Sequence, residues 1–235
     1  MHKLGGGFWS AAILACAVCV TAWAQTDEQR AIQDRLTRHA RLFRRYELKR
    51  RVEDMKPNAQ GAIDLTPTTI IDYAVTEPPP TPSDELQLRA HICDAVIQGT
   101  TEARYSALTP GHSYIYSDWI IKVTRVFKGT SLVPFKVGDR ITVARPGGEL
   151  RFNNFDVVAR DMTFPDFGIG REYVLYLVAD AETASFIASP QGSVDISGPT
   201  PVFLLDPQDR ATNLRPYSSR PTADFLTEVE RNIYQ

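Results

Sequence analysis

The clearest pattern in the chain is an alternation of apolar and polar positions across residues 114–128. Trp119, Ile121 and Val123 lie at every second position, and most of their neighbours are polar, as in a strand with one buried face. After Val123 the apolar phase shifts by one residue. We therefore predict a β-bulge near Thr124 that bends the strand sharply, as the closure of a barrel requires.

Shorter apolar runs predict further strands and two helices. Residues 172–179 (EYVLYLVA) are nearly all apolar, which predicts a strand that is buried on both faces. Weaker runs predict strands at 94–104, 140–144, 156–160, 183–188, 193–196 and 202–205. Helices are predicted over residues 83–91 and from Thr222 to the end of the chain, where apolar residues fall on one face.

The segment 26–53 contains neither Gly nor Pro and is predicted to form one long helix. Thr26 and Gln29 have the spacing of a capping box, in which each side chain bonds to the backbone amide of the other. The apolar positions are spaced four, four and three residues apart and so form one stripe along the helix: Ile32, Leu36, Ala40 and Phe43.

The first 24 residues have the character of an export signal. Lys3 precedes an apolar run at residues 8–20, and residues 22–24 (AWA) form a small-x-small cleavage site. We therefore expect a mature protein that is periplasmic or secreted. Two alternatives are lipidation at Cys16 and an uncleaved anchor, although the apolar run is shorter than the ~20 residues of a spanning helix.

These signals divide the chain into five parts. They are a signal peptide at 1–24, a basic helix at 26–53, a Pro-rich linker at 54–82, a β-domain at 83–207 and a C-terminal helix at 208–235 that packs on it. Cys16 and Cys19 leave with the signal, so Cys93 has no partner for an internal disulfide. We expect Cys93 to be a buried thiol, because an exposed one is a liability in an oxidising compartment.

Charge is segregated along the chain, although the total is only −2. Residues 26–51 hold nine Lys or Arg against four acidic residues, a net charge of +5, and residues 52–235 carry a net charge of −8. The acidic remainder argues against a nucleic-acid partner, whose phosphates it would repel. The cations that we take as candidate partner-binding residues are Arg38, Arg41, Arg44, Arg45, Lys49, Arg50 and Arg51.

Three uses of this basic helix stay open. It can bind an anionic envelope component such as lipid, lipopolysaccharide phosphate or cell wall, which includes peripheral contact with a membrane. It can instead dock on the acidic remainder of the same chain, or it can be a solvated face with no partner. If the first use holds, deletion of residues 26–55 is expected to leave the β-domain folded and to abolish envelope association.

Four motifs follow one another in an order that is similar to the netrin-like and metalloproteinase-inhibitor-like families. They are DAVIQGT at 94–100, WIIKVTRVFKG at 119–129, GDRITV at 138–143 and GREYVLYL at 170–177. The resemblance covers about residues 92–195. It implies a mainly β fold, a five- to six-stranded OB-like barrel, here with an N-terminal basic helix and a C-terminal helix. The inhibitors chelate zinc with a disulfide-fixed N-terminal cysteine, whereas Cys93 is internal and unpaired, so no functional residue is carried over.

The sequence contains no recognisable motif of a metal site or of a hydrolase active site. His39, His91 and His112 have no second His or Cys at ligand spacing, and neither HExxH nor GxSxG occurs. We therefore expect no metal, no cofactor and no enzyme activity. Tyr105, Tyr114, Tyr116 and Trp119 gather around one hairpin, either as a ligand-binding face or, as we favour, with Trp119 in the core.

The expected function is an exported binding or interaction domain of the cell envelope. One alternative is a secreted protease inhibitor-like protein, which would offer a rigid loop or a free sheet edge near residues 146–154. The other alternative is an enzyme of unrecognised type, which would need a pocket where several polar side chains meet.

Overall fold

The protein is mainly β, with a large mixed sheet and helices at both ends of the chain. The structure is a computed structural model that describes residues 26–66, 81–161, 164–204 and 214–233. The predicted signal peptide and the prolines at 78–80 lie outside the described residues. The chain divides into two compact units after Arg35, and the second unit contains every strand of the described residues.

The element bounds follow the order of the chain. The helices are α1 (Asp27–His39), α2 (Pro82–Ile92) and α3 (Thr222–Ile233). Short 3₁₀ segments occur at Ala40–Tyr46, Val52–Asp54 and Arg215–Ser219. The strands are β1 (Ala62–Asp64), β2 (Ala95–Leu108), β3 (Ile115–Lys128), β4 (Arg140–Pro146), β5 (Gly148–Phe152), β6 (Phe155–Ala159), β7 (Glu172–Asp180), β8 (Ser185–Asp195) and β9 (Val202–Phe203).

The large sheet has the strand order β4-β3-β2-β7-β8-β9, and all five neighbouring pairs in this order are antiparallel. One further pairing joins β4 to β8 in parallel, with Val143 opposite Phe186. The predicted bulge is confirmed: Gln98 pairs with Arg125 and Gly99 with Val123, so Thr124 is the extra residue. The strands predicted at 183–188 and 193–196 are one continuous strand, β8.

A smaller sheet of β1, β6 and β5 corrects the interpretation of residues 54–82 as a linker throughout. β1 pairs in parallel with β6, and β5 pairs with β6 as a hairpin. Ile63 and Leu65 are buried, whereas the side chains of an isolated linker would be exposed to water. Burial of these apolar side chains favours the packing of this segment on the rest of the protein. The remainder of the predicted linker, residues 67–80, falls in a part of the chain that is not described.

The prediction of one helix over residues 26–53 is wrong. The capping box forms as expected, with Thr26 Oγ1 accepting from the Gln29 amide at 3.2 Å and Gln29 Oε1 accepting from the Thr26 amide at 3.2 Å. The α-helix ends at His39, and a 3₁₀ segment continues to Tyr46. Side chains three residues apart eclipse in a 3₁₀ helix, so Ala40, Phe43 and Tyr46 all point to the same side. All three are buried, which explains why this tighter geometry is preferred here.

Two apolar clusters hold the second unit together. The first lies on the face of the large sheet that carries Trp119, Ile121 and Leu175. The second lies between the sheet and the helices, where Phe225 and Val229 of α3 contact the cluster that includes Val96, Val174 and Leu86 of α2. The C-terminal helix therefore packs on the large sheet over Thr222–Ile233, a shorter range than the predicted 208–235.

Candidate functional site

The segment 36–46 is docked on the large sheet through stacked aromatic rings. Phe43 stacks on Tyr116 with ring centroids 5.1 Å apart, and Tyr46 stacks on Tyr114 at 5.2 Å. The Tyr116 hydroxyl donates to the carbonyl oxygen of Leu36 at 2.6 Å. Two of the tyrosines that were candidates for an external ligand-binding face, Tyr114 and Tyr116, are thus covered by the protein's own N-terminal segment.

Trp119 lies in the core, as predicted. Its side chain is 2% exposed and packs edge-on against Phe167 at 5.4 Å. The Arg104 guanidinium lies 5.4 Å from the ring centroid and covers the other approach to the indole. Trp119 is therefore a packing residue, and no ligand face is built on it.

Of the seven candidate cations, Arg41 makes the closest ion pair within the described part of the protein. Its guanidinium donates to both carboxylate oxygens of Asp180, at 2.7 and 2.8 Å, and lies 3.1 Å from Glu182. Both bonds come from Nη2, and such charge-assisted bonds are stronger than bonds between neutral groups. Burial acts to raise the pKa of Asp180, but the bonds from Thr183 and Arg41 outweigh it and lower that pKa overall, so the carboxylate stays ionised.

Five other candidate cations point to solvent. These are Arg38, Arg44, Lys49, Arg50 and Arg51. Arg51 has an acidic neighbour in Glu53, at 3.5 Å, whereas the Arg45 side chain lies outside the described part of the molecule. The segment therefore has an apolar face that docks on the sheet and a cationic face that is exposed to solvent.

Beneath the docked segment lies a buried chain of hydrogen bonds that begins at His39. Its Nδ1 is 2.6 Å from Asp118 Oδ1, and its Nε2 is 2.7 Å from Ser185 Oγ. Ser185 Oγ lies 2.7 Å from Thr183 Oγ1, which donates to Asp180 Oδ2 at 2.5 Å. Through Asp180 the chain of bonds reaches Arg41, so the segment is tied to the sheet at both His39 and Arg41.

The order Asp118–His39–Ser185 matches that of a serine hydrolase triad. However, all three residues are 0% exposed, so no substrate carbonyl can approach Ser185 Oγ in this state. Sequence reasoning considered His39 only as a metal ligand and did not single out Asp118 or Ser185. These residues are 79 and 146 positions from His39, and no local motif signals such a meeting.

A polar cavity of about 550 Å³ lies between β2 and the smaller sheet. Its charged lining is already paired: Arg104 lies 3.2 Å from Glu149, and Arg151 lies 3.2 Å from Asp156. Arg104 also donates to Asp166 at 3.1 Å. These mutual pairs leave few charges in the cavity for a ligand.

The expectation that residues 26–55 are dispensable conflicts with this arrangement. Their deletion would remove Phe43, Tyr46 and His39, and would leave Tyr114 and Asp118 uncovered. Exposure of a buried apolar surface and removal of a hydrogen-bond partner from a buried carboxylate both destabilise a fold. Point substitutions of the exposed cations are therefore the appropriate way to test the segment.

Cys93 is buried, as predicted. Burial is the main cause that raises the pKa of its thiol, to about 11, so the reactive thiolate is scarce near neutral pH. Across the described residues, no group of three His, Cys, Asp or Glu side chains is arranged to hold a metal ion. Within the same residues, every helix is too short or too polar to cross a bilayer.

Comparison with known proteins assigns no family: no family model matches the chain, and no curated protein matches it.

Proposed function

We propose that this chain is an exported binding domain that presents the cations of residues 38–51 to an anionic surface of the cell envelope. The proposal rests on the N-terminal segment, which has one face packed on the sheet and another face exposed to solvent. Its apolar side chains and Arg41 are held by the protein, whereas Arg38, Arg44, Lys49, Arg50 and Arg51 face solvent. A docked segment presents these charges without the loss of conformational entropy that a free arm would suffer on binding.

We also propose that the large sheet closes into an OB-like barrel. The parallel pairing of β4 with β8 supports this, because it makes the pairings run in a cycle through β4, β3, β2, β7 and β8. The bulge at Thr124 provides the bend that closure needs. The resemblance to netrin-like proteins rests on the same strands. A contact between Val143 and Phe186 in nuclear Overhauser spectra would support closure, and its absence would count against it.

The proposed function is tested by charge reversal of exposed cations. The triple variant Arg44→Glu, Lys49→Glu and Arg50→Glu is compared with the wild type for binding to phosphatidylglycerol-containing vesicles by flotation. A cation near an anionic surface contributes about 1 kcal/mol, so loss of three should lower the partition coefficient by at least roughly 100-fold. Wild-type binding should also weaken with added salt.

The matched control reverses three exposed cations elsewhere: Lys122→Glu, Lys136→Glu and Arg160→Glu. It changes the net charge by the same amount and should bind far better than the first variant. Equal loss in both variants would show that only total charge matters, and the absence of wild-type binding to anionic vesicles would refute lipid as the surface.

A second candidate, the protease inhibitor-like protein, has one observation in its favour. β5 (Gly148–Phe152) lies at the edge of the smaller sheet, in the region where the sequence analysis placed a free edge, and a free edge can add a strand from a partner. Inhibition of periplasmic proteases by the purified protein, lost on Leu150→Pro, would favour this candidate. Unchanged protease activity would eliminate it.

A further inference from the structure

The buried chain of hydrogen bonds beneath residues 36–46 needs one more proton than its groups carry in their usual states. The chain has four links: Asp118 to His39, His39 to Ser185, Ser185 to Thr183, and Thr183 to Asp180. The heavy atoms of these links are 2.5 to 2.8 Å apart, so each link requires a proton between its two atoms.

With a neutral imidazole, only three protons are present for these four links. Neutral His39 supplies one N–H, and Ser185 and Thr183 supply one O–H each. Thr183 donates to Asp180, which accepts only, because Arg41 holds that carboxylate ionised. Ser185 can then donate either to Thr183 or to His39. One link would be left as two lone pairs facing each other at 2.7 Å.

A fourth proton satisfies every link, and it belongs on His39 because an imidazole is more basic than the carboxylate of Asp118. Nδ1–H donates to Asp118, Nε2–H donates to Ser185, Ser185 donates to Thr183, and Thr183 donates to Asp180. We infer that His39 is an imidazolium in the docked protein at neutral pH, and that this proton holds the segment 36–46 on the sheet. Ser185 then directs its proton away from His39, which is the reverse of an activated nucleophile.

The charged groups around His39 support this assignment. Asp118 approaches from β3, and Asp180, at the end of β7, is the next carboxylate along the chain of bonds. Arg41 belongs to the docked segment itself, but its charge is matched by Asp180 and Glu182. The Tyr116 hydroxyl donates its proton to the carbonyl oxygen of Leu36 and not to this chain of bonds. Asp118 therefore supplies a counter-charge at 2.6 Å, and a buried charge needs such a partner.

Docking of the segment should therefore weaken as pH rises. Removal of the imidazolium proton would leave one of the four links without a proton, whereas the released segment has no such links to lose. The stabilisation is therefore present while His39 is doubly protonated, and it is lost as rising pH removes that proton. Over that range, the equilibrium for release of the segment should increase by up to about tenfold per pH unit.

The direct test is ¹⁵N NMR of histidine-labelled wild-type protein at pH 7.5, with the ring signals assigned through His39→Gln. Both ring nitrogens of His39 are expected to carry a proton, with Nε2 as a donor. A single protonated ring nitrogen in the folded protein would overturn the inference. His91→Gln and His112→Gln are the controls, the latter because His112 lies 2.5 Å from Glu53 near the same segment.

A second measurement follows hydrogen exchange of the amides of residues 40–46 from pH 6 to pH 9. Protection factors are compared, since they correct for faster intrinsic exchange at high pH. Protection should fall with pH in the wild type and in His112→Gln, and should be low and flat in His39→Gln. If His39→Gln does not fold, Asp118→Asn should also lose the pH dependence, because it removes the counter-charge. Parallel pH profiles in the wild type and either network variant would refute the role of the proton.

Discussion

Phe43 is the best single position at which to test whether the N-terminal segment is part of the folded unit. Its side chain is 3% exposed and packs against Tyr116 and Tyr46. Replacement of a buried Phe by Ala costs about 3–5 kcal/mol. For a chain of this length, a loss of about 3 kcal/mol lowers Tm by roughly 6–12 °C.

The assay is denaturant unfolding of the wild type, Phe43→Ala and the control Phe155→Ala. Phe155 is 40% exposed on β6, so the same chemical change there should cost far less. A double-mutant cycle with Tyr116→Ala should add a coupling energy of about 0.5–1.5 kcal/mol for the ring pair. If Phe43→Ala is no more destabilising than Phe155→Ala, the segment is not docked and the proposed presentation of its cations fails.

The remaining predictions concern one glycine and one thiol. Gly99→Ala should lose about 1–3 kcal/mol of stability, because its Cβ would lie 2.6 Å from Ile121 Cγ2 and 2.9 Å from the Lys122 carbonyl oxygen. Gly129→Ala, whose nearest neighbour is 3.9 Å away, should stay within about 0.5 kcal/mol, and equal losses would contradict this account. Cys93 should resist a thiol reagent at pH 8 until the protein unfolds, judged by the difference from Cys93→Ala. Rapid labelling of Cys93 in the folded state would show that it is exposed.

The sequence determined the features that depend on neighbouring residues. The alternation around Trp119 identified β3 and its core face, and the phase slip located the bulge at Thr124. The capping box at Thr26 and Gln29 also formed as expected. Such features are local, because the period of the apolar positions reports which side of an element is buried.

Tertiary structure decided which surface covers each apolar face. The stripe that includes Leu36, Ala40 and Phe43 predicted burial of one side of a helix, but the change to 3₁₀ geometry came from docking on Tyr114 and Tyr116. A longer α-helix would have rotated Tyr46 away from that surface. Packing therefore overrode local helix propensity in this segment.

The buried polar network was also beyond sequence reasoning. His39, Asp118 and Ser185 lie on three separate elements, and only the pairing of β3, β4 and β8 brings the latter two residues together beside His39. Hydrogen bonds between side chains need atoms within about 3 Å, a condition set by the pairing of distant strands and not by any spacing along the chain.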